Sequence, residues 1–395
     1  MASYTPVHHA DVVIVGGGPA GLVTALSLLR AAPELADRVV VLEKGRYPRE
    51  KYCAGALGGR GDAILADLDA RPDVPGVDVR GMSFVCGAGE REEKLDETIG
   101  RVVRRVEFDA ALALIAERRG VRVVDGAKVT SVDDDGSAAT AHAADGRSWR
   151  ARVLVGADGV GSSVRKAVGL GPGLLRAQVL EVDTEPTELD GERDVLRFCA
   201  FDRALPGYTW DFPTIVDGRA LVCRGIYHLK RGDERVDLEN KLGAQLAKHG
   251  QDIRQVKNKR FAERGFEPAT TLARGRMLLV GEAAGIDPIT GEGIAQAIEY
   301  GAMCGEHVAR ALRRQAVLGD WTRRVRLSRL GIDLAVRTRL ATYFFGPLRP
   351  RVESLVLDSP VALRAGCRHF GGLPARAGEI ARVLAEAAVR ARPAH

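Results

Sequence analysis

The chain has 395 residues, 46% of them apolar, and a formal net charge of +6, which is enough for a sizeable core and about two domains. No run of 18 apolar residues is present to span a bilayer, and Asp11 interrupts the start of the first apolar run, so no signal peptide is expected. The six cysteines lack CxxC or zinc spacing. They suit reduced thiols in a cytosol, and neither a metal site nor a nucleic-acid recognition module is expected.

In chain order, Asp11–Val15 is a short β-branched run that predicts a buried strand. Gly16, Gly18 and Gly21 follow at GxGxxG spacing, and Leu22–Leu29 continues as an apolar helix. The first glycine serves the tight turn, the second lets backbone approach a pyrophosphate, and the third lets helix pack on strand. A second strand, Arg38–Leu42, ends in Glu43, where an acidic residue meets a ribose hydroxyl in dinucleotide folds. The set predicts dinucleotide binding. The alternative is a glycine-rich turn in an ordinary α/β core.

Arg46–Gly61 reads as a loop, while Met82–Cys86 and Lys94–Thr98 read as strands of a different sheet. Phe108–Arg119 is helical, with Ala111, Leu112, Leu114 and Ile115 on one side. Strands are expected at 121–124, 128–133, 138–143 and 149–155, with Asp-Gly turns at 135–136 and 145–146. Alternating runs at 195–201, 207–212 and 219–225 predict a second, antiparallel sheet, and Asp237–Lys248 a helix. Arg276–Val280 returns to a buried strand before a long helix, Gly293–Arg314. The expected division is therefore a discontinuous nucleotide domain (1–80, 100–174 and 266–330), a substrate domain (81–99 and 175–265) and a helical C-terminal region (331–395) that ends in a polar tail. From Arg310 to Arg351 eleven arginines face two acids. With Tyr343, Phe344 and Phe345, the segment Arg323–Arg351 reads either as an amphipathic helix for an anionic membrane surface or as an ordinary surface helix.

Three further stretches carry chemistry. Ala151–Lys166 reads ARVLVGADGVGSSVRK, Met277–Ile294 reads MLLVGEAAGIDPITGEGI, and Gly207–Pro213 reads GYTWDFP. In the last, Tyr208, Trp210 and Phe212 share a strand face and Pro213 is expected to end the strand. Together with GxGxxG, these motifs resemble the FAD-dependent geranylgeranyl reductase family, within the one-domain-FAD hydroxylase and halogenase-like flavoproteins. The resemblance spans roughly residues 10 to 350. GYTWDFP is similar to the YxWxFP signature of the reductase branch and is the motif that points inside the larger group.

The resemblance implies an α/β, Rossmann-like FAD domain with an inserted antiparallel substrate domain and C-terminal helices. It implies that Gly16, Gly18 and Gly21 hold the pyrophosphate, Glu43 the ribose, and Arg105 the flavin chain. Asp158, Gly281, Glu282 and Pro288 belong to its cofactor motifs. Gly291 and Gly293 open a helix that would face the reduced isoalloxazine and stabilise its negative charge. Tyr208 and Trp210 would line the substrate cavity, and Cys53, in KYCAG, would lie near the flavin. Glu282 stands where the larger group most often has Asp, and Cys223–Arg224–Gly225 stands where family members often carry GxG.

The implied reaction is reduction of C=C bonds in a prenyl or other hydrophobic substrate by hydride from N5 of reduced FAD, with NAD(P)H or ferredoxin as electron donor. An electron-donor protein and a peripheral membrane association are the partners expected of a cytoplasmic enzyme of this kind. The alternatives are an FAD monooxygenase acting on an aromatic or carrier-bound natural product, and a non-catalytic lipid-binding flavoprotein. Halogenation is disfavoured because Tyr208 and Phe212 depart from the WxWxIP stretch of flavin halogenases. The glycines at every flavin motif argue against a site that has lost its use.

Overall fold

Apolar β-branched runs form the centre of the first sheet, as periodicity dictates for strands covered on both faces. In the computed structural model, which describes residues 7–391 apart from 231, 233, 234 and 375, the strand Val7–Val15 is buried from Asp11 onward. It pairs in parallel with Ser148–Gly156 on one side and Val39–Leu42 on the other. Met277–Leu279 and Arg122–Val124 extend the parallel set outward, and Val129–Asp134 and Ala139–Ala143 add an antiparallel ribbon. Among the described residues this sheet has eight strands. The helix Pro19–Ala31, apolar nearly all round, is wedged between the sheet and the 19-residue helix Ile294–Leu312. The polar tail expected at the chain end lies outside the described residues.

The second sheet has seven strands among the described residues, in the spatial order Lys259–Arg264, Arg176–Thr184, Arg219–Lys230, Gly207–Val216, Val195–Ala200, Gly81–Cys86, Gly89–Lys94. Side chains alternate across it. Leu180, Val182 and Ile226 meet the helix Leu238–Lys248 on one face, while Val179, Trp210, Phe212 and Tyr227 face the other way. That second face packs against the C-terminal helices Arg329–Phe344 and Ala362–Phe370 through Ala341, Cys367 and Phe370. Ala56–Gly58, Gly100–Val103 and Gly76–Val79 form a further sheet, three-stranded among the described residues. The fold is thus α/β, with a Rossmann-like parallel sheet, a largely antiparallel second sheet and a helical C-terminal region.

Several expectations are corrected. The strand foreseen at Lys94–Thr98 lies at Gly89–Lys94, because a tight turn sets Cys86 opposite Gly89. Its EREEK sequence is an edge strand armed with charge, which hides it from apolar periodicity. The loop foreseen at Arg46–Gly61 contains the strand Ala56–Gly58 and the start of the helix Gly59–Asp67. Pro213 does not end its strand, which runs on to Val216. Pairing with Val195–Ala200 stops at Asp211, so one edge of the strand is open where the proline lacks its N–H. The second sheet is also not purely antiparallel: Val195–Ala200 and Gly81–Cys86 run in parallel. The single basic helix envisaged over Arg323–Arg351 is divided into Trp321–Leu327, Arg329–Phe344 and the start of Arg349–Asp358. Ser328 causes the first break, leaving the helical conformation to accept a hydrogen bond from the Gly331 N–H. No helix among the described residues is long and apolar enough to cross a membrane.

Candidate functional site

The glycines of the first loop divide into two kinds. A Cβ on Gly21 would lie 1.9 Å from the Gly16 carbonyl oxygen, and Gly16 itself, at φ +108°, has the Ala157 carbonyl 2.2 Å from the place of a Cβ. Both are required by the fold. Gly18 is different: its Cβ would meet only the Arg105 guanidinium, at 3.4 Å. Nothing in the protein crowds that position, so the fold itself has room for a side chain there.

Around this loop the charges are buried and paired. Arg49 joins Glu43 at 3.0 Å and Asp109 at 3.0 Å, and Arg105 grips Asp109 through two bonds of 2.6 and 2.7 Å. Burial works to lower the Arg105 guanidinium, but Asp109 outweighs it and holds the cation above its ordinary value. Glu43 accepts from the N–H groups of Gly17 and Gly45, both at 2.9 Å, so each of its oxygens is engaged within the loop. Asp158 is likewise engaged, accepting from the N–H of Ser163 and the hydroxyl of Ser162 at the start of the helix Ser163–Ala167.

Across the cleft, Val280 ends the strand Met277–Leu279, and Gly281 and Gly291, both at positive φ, shape the loop to the helix Ile294–Leu312. Gly293 is its N-cap and no side chain caps it, so the N–H groups of a 19-residue helix are left open at this end. Glu282 projects toward Gly159 and keeps a buried Oε1 without a hydrogen-bond partner. Pro288 accepts from the Tyr227 hydroxyl at 2.9 Å, and Thr290 from the Tyr208 hydroxyl at 2.5 Å. The second sheet therefore fixes the loop that leads into the helix.

On the far side of that loop lies a cavity of about 450 Å³. Its floor is Ile289–Ile294 and Cys53, its walls are aromatic, and its far end is roofed by Leu340, Phe344 and Phe370 of the C-terminal helices. Tyr208 stacks on Tyr227 with ring centres 5.4 Å apart, and Trp210 leans on Tyr208 and Phe212. Gly225 lies opposite Trp210, and a Cβ there would be 2.1 Å from the indole. Cys223 is thus the departure from the family's GxG, while Gly225 keeps its second glycine and admits the tryptophan. Arg224 points to the other face, where it is fully buried and pairs with Asp190 and Asp211 at 2.6 and 2.8 Å.

Cys53 stands where the cavity meets the glycine-loop charges, and burial pushes its thiol up. Its N–H donates to Glu181, a fully buried carboxyl that burial raises to about 7 against the opposing pull of Lys259. Sequence reasoning missed Glu181, Glu263 and Glu292. Burial holds Glu292 above the carboxylate range despite Arg337 and Arg60, and Glu263 faces the cavity. A faint signal existed for two of them: each is an acid set among apolar residues of a strand, in VLEVD and RFAER.

The arrangement fits FAD on the structure's own terms. Gly18 leaves room the protein does not fill, Glu282 has a buried oxygen awaiting a donor, and the long helix presents uncapped N–H groups. Residues 9–319 match the FAD binding domain family. The chain is 30% identical over 311 residues to digeranylgeranylglycerophospholipid reductase of Thermoplasma volcanium, covering 74% of this chain and 76% of that protein. It is 29% identical over 392 residues to menaquinone reductase of Mycobacterium tuberculosis, covering 92% and 91%. A geranylgeranyl bacteriochlorophyll reductase-like protein of Thermoplasma acidophilum shares the fold, with a TM-score of 0.73 at 21% identity over 96% of this chain and 97% of that one. With the motifs and the cleft in agreement, the chain belongs to the FAD-dependent geranylgeranyl reductase family and is an FAD-dependent oxidoreductase.

Proposed function

We propose that the enzyme reduces C=C bonds of a prenyl chain, carried by a lipid or a quinone, in the aromatic cavity. The observation that carries the reading is the cavity itself: long, apolar and aromatic-walled, it begins at the loop Ile289–Gly293 that leads to the uncapped helix. Digeranylgeranylglycerophospholipid and menaquinone, the substrates named for the two relatives, have a prenyl chain in common.

FAD, when bound and reduced, supplies a hydride. Gly16, Gly18 and Gly21 would hold its pyrophosphate, Arg105 its flavin chain, Glu43 its ribose, and Asp158, Gly281 and Glu282 its ribityl side. The N-terminus of the helix Ile294–Leu312, with Pro288, Gly291 and Gly293 shaping the approach, favours the negative charge of the reduced cofactor. Tyr208 and Trp210 orient the chain and exclude water, and Cys53 closes the cavity beside the glycine-loop charges. Residues 1–80, 100–174 and 266–330 thus serve the cofactor, and 81–99 with 175–265 the substrate. NAD(P)H or a ferredoxin supplies the electrons.

Substrate entry involves the membrane surface of the cytoplasmic side. Ile332, Val336, Leu340 and Tyr343 are exposed at helical spacing on Arg329–Phe344, and Val336 and Leu340 also line the cavity. The exposed cations Arg329 and Arg339 flank them. Such a face suits an anionic bilayer, and vesicle binding should weaken steeply with salt.

The test is anaerobic. Reduced enzyme should be reoxidised by a prenyl alkene in a single turnover, with the saturated product recovered. Rapid reoxidation by oxygen with an aromatic hydroxylated, and none by the alkene, would replace this reading with a monooxygenase.

A further inference from the structure

Saturating a C=C bond needs a proton as well as a hydride, and most polar groups around the cavity are already committed. The hydroxyls of Tyr208 and Tyr227 donate to the carbonyls of Thr290 and Pro288. Asp333 is paired with Arg337, Glu353 with Arg349 and Arg203, and Glu292 lies in the field of Arg337 and Arg60.

Glu263 is the exception. It lies on the strand Lys259–Arg264, on the same side as Phe261, and both residues line the cavity. Its Oε2 is buried, has no hydrogen-bond partner, and lies 2.4 Å from the place a Cβ on Gly291 would take. The ring edge of Tyr227 bounds the same space, 3.2 Å from that point. Only a glycine at 291 lets this carboxyl reach the junction between the cavity and the loop that leads to the helix.

We propose that Glu263 is a catalytic residue, the acid that donates a proton to one carbon of the alkene as the other receives the hydride. The proposal rests on the prenyl-reduction reading above. The π bond is replaced by two C–H bonds, one hydrogen arriving as hydride from the reduced cofactor and one as the Glu263 proton. The carboxylate left behind regains its proton from water between turnovers. The surroundings favour the protonated, uncharged form of the group. Burial raises it well above the carboxylate range, Glu282, Glu181 and Asp287 add to that, and Lys51 is the cation that opposes them. Tyr227 and Tyr208, whose own hydroxyls burial holds neutral, complete the wall. An acid works best when it is poised in this way and within reach of its acceptor.

The test uses the full-length holoenzyme and Glu263→Gln, which keeps the shape and removes the acidic proton. Infrared difference spectra at neutral pH should show a protonated carboxyl in the wild type that is missing in the variant. Bound-flavin absorbance and anaerobic reduction by dithionite should be unchanged. Single-turnover reoxidation by the prenyl alkene should slow by about 100-fold or more, and the alkaline limb of its pH profile should disappear. A wild type without the protonated carboxyl band overturns the proposal, whatever the variant does. So does a variant that reoxidises within about threefold of wild type, or one that sheds its FAD, which would make the carboxyl a cofactor-holding group. A wild type that no prenyl alkene reoxidises overturns the substrate reading instead, and the proton transfer falls with it.

Discussion

The two ends of the site treat charge in opposite ways. At the glycine loop, Arg49, Arg105, Glu43 and Asp109 are buried and joined by contacts of 2.6 to 3.0 Å. At the cavity, Glu263 Oε2 is left without a hydrogen-bond partner, and beside Cys53 burial raises Glu181 to about 7 against the pull of Lys259. The first arrangement gives a rigid frame of fixed charge, as an ionic ligand requires. The second buries its carboxyl groups so deeply that the protonated form is favoured. Binding calls for satisfied charge and proton transfer for unsatisfied charge, and the sheets that build the two ends supply each separately.

Variants can break that contrast, beginning with the largest effect. Gly21→Val should abolish folding, since its side chain would collide with the Gly16 carbonyl. Gly18→Val should fold and melt cooperatively yet be colourless, because its side chain enters ligand space. A Gly18→Val protein that keeps its full flavin absorbance would remove the glycine loop from the cofactor site.

Asp109→Ala strands the buried Arg105 guanidinium and removes one of the two carboxylates of Arg49, and should cost about 3–5 kcal/mol in denaturant unfolding. Glu263→Gln, which breaks no pair, should change stability by less than ~1 kcal/mol. Equal losses at the two positions would erase the distinction between the ends.

Glu181 sharpens the comparison through pH. Its folded value of about 7 lies above the ordinary 4.5. The folded state therefore binds the proton more tightly, and this contribution to stability is full below about 4.5 and lost as pH rises toward 7. The loss is of the order of 3 kcal/mol. Glu181→Gln should flatten the fall in melting temperature between about pH 5 and 7.5, and an unaltered slope would show that the carboxyl ionises freely. The smallest effect belongs to Tyr208→Phe, which removes one hydrogen bond to Thr290 and should cost about 1 kcal/mol, with turnover largely kept. A large loss of turnover with FAD retained would give the hydroxyl a role in proton delivery.

Much of the nucleotide-binding half was legible because its signals are local. Asp11–Val15, the glycine spacing and Glu43 lie within 33 residues of one another in the chain, and strand, turn and helix follow from period and steric need. Tyr208 and Trp210 were legible as members of one strand face for the same reason. The edge strand Gly89–Lys94 was not, because its alternation is written in charges. The break at Ser328 was missed because the arginines on either side of it suggested one continuous face.

What the sequence determined by itself, then, was the glycine loop, the period-two aromatic face and the long helix after Gly293, each specified by neighbours a few positions apart. What only the tertiary structure decided was which acids are buried deeply enough to favour their protons. Glu263 meets Gly291, and Glu181 meets Cys53, across separations of 28 and 128 residues. Burial is a property of a place in the folded chain, and no spacing along the sequence encodes it.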